Sequence, residues 1–185
     1  MSDDESVPDS ELPEEIVWQG KFVTAKRQGK WEFVSRSRGI KAAVILAVED
    51  AHVLLVEQYR VPMGRNCIEL PAGLIGDHDE DEKDDPLSAA GRELEEETGY
   101  RAGRLEDCGE FFSSPGMVSE SFTLVRAGLL EKVGPGGGVE GENITVHRVA
   151  LSELDAFIAD KRAEGAGIDV RLLLLLGADL INGNS

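Results

Sequence analysis

The chain has 185 residues, 41% of them hydrophobic and 30% charged, with a formal net charge of −17. That length suits one compact domain with some additional tail. The longest apolar runs, Ala42 to Val48 and Leu172 to Leu176, fall far short of the roughly 18 residues a membrane-spanning helix needs. No basic stripe with interleaved aromatics offsets the acidity, which argues against a nucleic-acid-binding scaffold.

Met1 to Glu15 holds seven acids and no base and is punctuated by Pro8 and Pro13. It reads as a disordered acidic leader, residues 1–15, and is the opposite of a secretory signal with its basic start and apolar centre. Next, Ile16 to Trp18, Lys21 to Lys26 and Trp31 to Ser35 alternate apolar and polar residues around Gly20 and Gly29, as half-buried strands do. Ala42 to Val48 and His52 to Tyr59 are Val- and Leu-rich runs that predict a hairpin of central strands. Cys67 to Leu70, Leu105 to Phe112, Ser121 to Ala127 and Ile144 to Ala150 add four more predicted strands. Between them the sequence predicts one clear helix, with Asp85 as N-cap, Pro86 in the first turn and Gly99 as its stop. Ser152 to Lys161, opened by a Ser/Asp capping box, and Asp169 to Leu180, capped by Asp169, are the last two predicted helices. Most strands follow one another without an intervening helix, so the expected class is α+β, an α/β/α sandwich with a mixed sheet, rather than a βαβ succession. Cys67 and Cys108 lack C-x-x-C spacing and suit reduced thiols in a cytoplasmic protein.

Asp77 to Glu97 carries eleven acids against Lys83 and Arg92, and part of that charge falls inside the predicted helix. Leu87, Ala90 and Leu94 recur at helical spacing as its buried stripe, while Glu93, Glu96 and Glu97 stand at i, i+3 and i+4 on another face. Each ionised pair among them repels by roughly 3 kcal/mol at an effective dielectric near 20, or about 0.7 kcal/mol in open water. A hard divalent cation with oxygen ligands resolves that repulsion, Mg²⁺ or Mn²⁺ shared with a substrate phosphate being the usual form. The bland alternative for any such run is a solvated face.

The run Arg92-Glu93-Leu94-Glu95-Glu96-Glu97-Thr98-Gly99-Tyr100 reproduces the R-E-U-x-E-E-x-G-U core of the Nudix box, where U is bulky and apolar or aromatic, so the chain resembles a Nudix hydrolase. Glu57-Gln58-Tyr59-Arg60, Met63-Gly64-Arg65 and Glu69-Leu70-Pro71-Ala72-Gly73-Leu74-Ile75 look like the ADP-ribose and nucleotide-sugar pyrophosphatase branch. The family's box opens G-x5-E-x7-R, but here Gly73 lies nineteen residues before Arg92, an insert of five, and Asp84 stands where the family has Glu. The insert falls in Gly76 to Lys83, ahead of the helix. Asp77-x-Asp79-x-Asp81 mimics the start of a calcium loop, yet Glu82 stands where that loop needs Gly.

The resemblance implies a Nudix fold over 41–182 with an additional N-terminal antiparallel sheet at 16–40 that serves dimerisation and substrate contacts. It implies Mg²⁺, with Mn²⁺ as a substitute, held by Glu93, Glu97, Glu142 and the backbone of Ala72, with Glu96 supplementary and Arg92 orienting the helix carboxylates. Gly134 to Asn143 contains a literal G-x-G-x-x-G, but a predicted strand follows it, so it is not a dinucleotide fingerprint. A flexible surface loop is the plain reading. In relatives the corresponding loop supplies a catalytic base, which leaves Glu140 and Glu142 as base and metal ligand in either order, with Glu120 a further acid. Arg60 is implied as the diphosphate clamp, Phe22, Trp31 and Arg36 as adenine contacts across a homodimer, and Leu74 and Glu120 as further substrate contacts. The expected reaction is ADP-ribose and water to AMP and ribose 5-phosphate. A GDP-mannose or UDP-sugar pyrophosphatase is the first rival and a non-catalytic nucleotide sensor the second.

Overall fold

The computed structural model of the chain describes residues 7–37, 39–76, 85–139 and 141–182. Strands β1 (Glu15–Gln19), β2 (Val23–Gln28) and β3 (Trp31–Arg36) form a separate antiparallel sheet in the order β1-β2-β3. Residues 9–15, expected as part of a solvated leader, lie against it. The Gln28 side-chain amide donates to the carbonyls of Ser10 and Leu12, and Lys26 and Arg27 pair with Glu14 and Glu15 at 2.7 Å each. The leader's acids meet the bases of the strands, which is why this half of it is seated.

The main sheet has eight strands: β4 (Lys41–Glu49), β5 (His52–Arg60), β6 (Arg65–Glu69), β7 (Ala72–Ile75), β8 (Tyr100–Phe112), β9 (Ser121–Lys132), β10 (Thr145–Ala150) and β11 (Gly167–Ile168). Its path is β11-β6-β5-β4-β9-β8, with β10 paired to β5 and β7 to β4. The β4–β5 hairpin pairs only at Val48–Val53 and Glu49–His52. Beyond it the strands part, β4 pairing with β7 and β9 and β5 with β6 and β10, so the sheet forks toward the end marked by Lys41 and Arg60.

Helix α1 (Pro86–Thr98) covers one face, and α2 (Leu154–Ala163) and α3 (Leu173–Asn182) the other. Alternation along β4 serves both cores: Ala43, Ile45 and Ala47 pack with Ala89, Ala90 and Leu94, whereas Val44 packs with Leu154, Ile158, Leu172 and Leu176. The α/β/α sandwich and the extra antiparallel sheet are therefore present as expected.

Several elements differ from their predicted form. Strands β7 and β11 were not expected, because four and two residues are too short to show a period. Strand β8 begins earlier and β9 ends later than predicted, these polar ends held together by antiparallel pairing from Tyr100–Lys132 onward. The proposed capping box at Ser152 does not form. Residues Leu151–Glu153 make a 3-10 turn and α2 starts without a side-chain cap. Asp169 does cap, accepting from the Arg171 N–H, but it caps a 3-10 turn at Val170–Leu172 that precedes α3.

Candidate active site

Helix α1 sets the acids in place. Asp85 Oδ1 accepts from the N–H groups of Leu87 and Ser88 at 3.0 and 3.2 Å, and Gly99 ends the helix in the left-handed region. With Ala89, Ala90 and Leu94 buried against the sheet, Glu93 and Glu97 come to lie toward β7. Glu96 is exposed, and Glu95 turns to Arg101 in a two-pronged contact at 2.9 Å.

Glu97 is buried, 6% exposed, and its Oε2 accepts from the Ala72 N–H at 3.0 Å. Burial pushes its carboxyl up to about 8. The nearby charges of Glu93 and Glu142 add to that rise, while the Ala72 hydrogen bond and the Arg60 charge oppose it. Glu93 packs so tightly on β7 that a Cβ at Gly73 would overlap its carboxyl, which is why the strand carries glycine there.

Glu142 arrives from the glycine-rich loop. Gly137 N–H donates to the Glu97 carbonyl at 2.8 Å and Gly138 N–H to that of Glu96 at 3.2 Å, supplying partners for the last carbonyls of α1. Gln58 Nε2 donates to the Glu142 carbonyl at 3.3 Å, and the Glu142 carboxylate accepts from the Val139 N–H at 3.0 Å. A Cβ at Gly138 would overlap that carboxylate. This corrects the reading of a flexible surface loop: its glycines allow close docking on the helix end, and the docking brings Glu142 to Glu97. Glu140 and residues 77–84, with most of the insert and Asp84, lie outside the described residues.

Arg60 is at the open end of the fork, where Glu69 grips it with two bonds of 2.6 and 2.9 Å. Arg36 and Glu120, expected separately at the substrate, pair with each other at 2.6 Å and tie β3 to the segment before β9. Phe22 and Trp31 are exposed on the N-terminal sheet, Lys21 sitting 5.0 Å over the Phe22 ring. Leu74 is half-buried on β7 opposite Ala42, and Arg92 is half-buried on α1. Sequence reasoning did not single out Asp169 and Arg171 for the site, nor Glu69 apart from its motif. No helical or strand period links residues 69, 169 and 171. The signal is the short parallel pairing of β11 on β6. A groove of about 450 Å³ lined by Tyr100, Lys132, Gly136, Gly137 and Arg148 borders the same loop but holds none of these carboxylates.

A family model described as NUDIX domain matches residues 38–164. The chain belongs to the Nudix family. A protein named methanol dehydrogenase activator from Bacillus methanolicus is 36% identical over 121 residues, 65% of this chain and 63% of that one. An ADP-ribose pyrophosphatase of Bacillus subtilis is 29% identical over 124 residues, covering 62% and 63% of the two chains. A GDP-mannose pyrophosphatase of Klebsiella pneumoniae is 32% identical over 157 residues, covering 80% and 76%. The match thus spans a little under two thirds of the first two relatives' length. Among solved structures, one titled as an ADP compounds hydrolase shares the fold, with a TM-score of 0.67 over 94% of each chain at 22% identity.

Nudix hydrolases generally use divalent metals. Among the described residues no three His, Cys, Asp or Glu side chains form a ready metal cage. The donor chemistry nevertheless fits a hard cation: Glu97 is buried, flanked by the charges of Glu93 and Glu142, and raised in pKa by all three effects. Oxygen donors suit Mg²⁺ or Mn²⁺ over softer metals.

Proposed function

We propose that this Nudix protein hydrolyses the diphosphate of ADP-ribose, or of a closely related nucleoside diphosphate sugar, with Mg²⁺. The buried carboxyl of Glu97, with Glu93 packed on β7 beside it and the charges of Glu93 and Glu142 acting on it, supports this reading most strongly. Those three carboxylates would hold the ion, with Ala72 and Glu96 as further donors. When bound, the cation supplies charge neutralisation on the diphosphate and a more acidic water.

The chain's own residues would do the rest. Arg60 offers the edge of its guanidinium that Glu69 does not occupy to a phosphate oxygen. Arg92 braces α1. Glu140 accepts the proton of the water that attacks phosphorus, and Glu142 or Glu120 takes that role if Glu140 does not. As the new P–O bond forms, the bridging P–O bond breaks, releasing AMP and ribose 5-phosphate. Phe22, Trp31, Arg36 and Leu74 would frame the adenosine half. The exposed Ile16, Val17 and Trp18 of β1 support a homodimer built on the N-terminal sheet. Light scattering in solution tests that assembly, and a monomer removes it.

Release of the nucleoside monophosphate from a panel of nucleoside diphosphate sugars, AMP from ADP-ribose and GMP from GDP-mannose, with Mg²⁺ and with chelator, is the decisive assay. Turnover of ADP-ribose that chelator leaves untouched would refute the reading. A second specificity has support of its own, because the match to a GDP-mannose pyrophosphatase spans 80% of this chain. GDP-mannose hydrolysed faster than ADP-ribose would select it. No described helix is long and apolar enough to cross a membrane.

A further inference from the structure

Arg60 does not stand alone at the site's edge. The parallel pairing of β11 with β6 sets Ile168 beside Ile68, and Asp169 N–H donates to the Ile68 carbonyl at 3.0 Å, so Asp169 follows in register beside Glu69. Asp169 brackets the Arg171 guanidinium, Oδ1 accepting from Nε at 2.6 Å and Oδ2 from a terminal nitrogen at 2.7 Å. The same nitrogen donates to Glu69 Oε2 at 3.2 Å, and the Phe122 ring lies 5.9 Å from the guanidinium carbon. Glu69 closes on Arg60 with both oxygens. Exposure of the side chains separates the members: 20% at Arg171, 18% at Asp169, 4% at Glu69 and 40% at Arg60. Arg60 is the one member substantially open to solvent.

We propose that Asp169, Arg171 and Glu69 are positioning residues that hold the Arg60 guanidinium in one orientation, so that the C-terminal segment sets the affinity of the diphosphate site. This rests on the reading of Arg60 as a diphosphate contact. Glu69 occupies the Nε side of Arg60 and leaves N–H groups on the other terminal nitrogen for an anion. Alone, Glu69 would form a neutral pair free to swing with a flexible arginine. Bonded also to Arg171, it is fixed from behind, and the rotamer freedom Arg60 would otherwise lose on binding is already gone.

The test compares wild type, R171M, R60Q and the double variant R60Q/R171M by steady-state hydrolysis of ADP-ribose with Mg²⁺, alongside thermal melting. R171M raises KM about fivefold with kcat within about twofold, and the double variant is no worse than R60Q alone, because both changes act through one guanidinium. A merely structural Arg171 would lower Tm and leave KM at the wild-type value, and either that outcome or a KM increase that multiplies with that of R60Q overturns the proposal. If R171M does not fold, D169N carries the same comparison, since asparagine keeps the cap of the 3-10 turn and loses the charge that brackets Arg171. R60Q with an unchanged KM would instead remove Arg60 from the diphosphate site, and the proposal with it.

Discussion

Two groups of acids lie at the fork of the sheet under opposite electrostatic regimes. Glu69 and Asp169 are enclosed by the guanidinium groups of Arg60 and Arg171, and although burial pushes the Asp169 carboxyl up, the Arg171 bonds outweigh it and hold that carboxyl below the usual range. Burial drives Glu97 up to about 8, with two carboxylates adding to that rise and the Ala72 hydrogen bond and the charge of Arg60 opposing it. The first group is complete as folded, whereas the second carries a deficit of positive charge. A buried acid is costly only when nothing repays its desolvation, and the unrepaid one here is where the proposed cation would bind.

The largest test of this contrast is E97Q. It should lower Mg²⁺-dependent turnover at least about a hundredfold, since even the outer partners of metal ligands cost 10–100-fold when lost. Stability against pH gives the next effect. In chelator, the folded protein keeps a proton on Glu97 up to about pH 8, while the unfolded carboxyl releases it near 4.5. Folding therefore takes up a proton in that window, and the stabilisation is full below the unfolded pKa and lost as pH rises through the folded one. Denaturant titrations of chelated wild type should lose on the order of 5 kcal/mol relative to E97Q over that range. Saturating Mg²⁺ should flatten the difference, and an equal pH slope in both proteins would remove the electrostatic contrast. Asp169 should show the opposite sign, its contribution present above its unfolded pKa near 3.8 and lost on acidification, with D169N abolishing that loss.

Glu69→Leu should cost about 3 kcal/mol in denaturant titration, because it removes the buried carboxylate between two guanidinium groups, leaving Arg60 without its partner and Arg171 with Asp169 alone. Asp85→Ala should lower Tm by a few degrees through the lost cap and leave the pH slope of Glu97 in place, separating helix stability from site charge. Smallest of all, Glu95→Gln should leave turnover unchanged, since Glu95 serves the exposed Arg101 although it stands between Glu93 and Glu97 in sequence.

How far the sequence reached follows from the range of the forces involved. Helix α1 was legible at both ends, because Asp85, Pro86 and Gly99 act within one turn of where they stand. So was the face shared by Glu93 and Glu97, which helical geometry sets. The capping box expected at Ser152 failed because a 3-10 turn, governed by how β10 delivers the chain, took its place. The glycine-rich loop looked free because its partners, the carbonyls of Glu96 and Glu97, are forty residues away and carry no local signature. Arg36 and Glu120 gave no hint of each other for the same reason.

Local backbone and side-chain preferences by themselves determined the acidic helix, the alternation of β4 and β5 and the helix face that Glu93 and Glu97 share. Tertiary structure decided which carboxylate is buried, that Glu142 joins it through a docked loop, and that Glu69 is locked by an arginine from the C-terminal segment. Hydrogen bonding within a helical turn is written in adjacent residues, but desolvation and charge pairing depend on what the fork of the sheet brings together from distant strands.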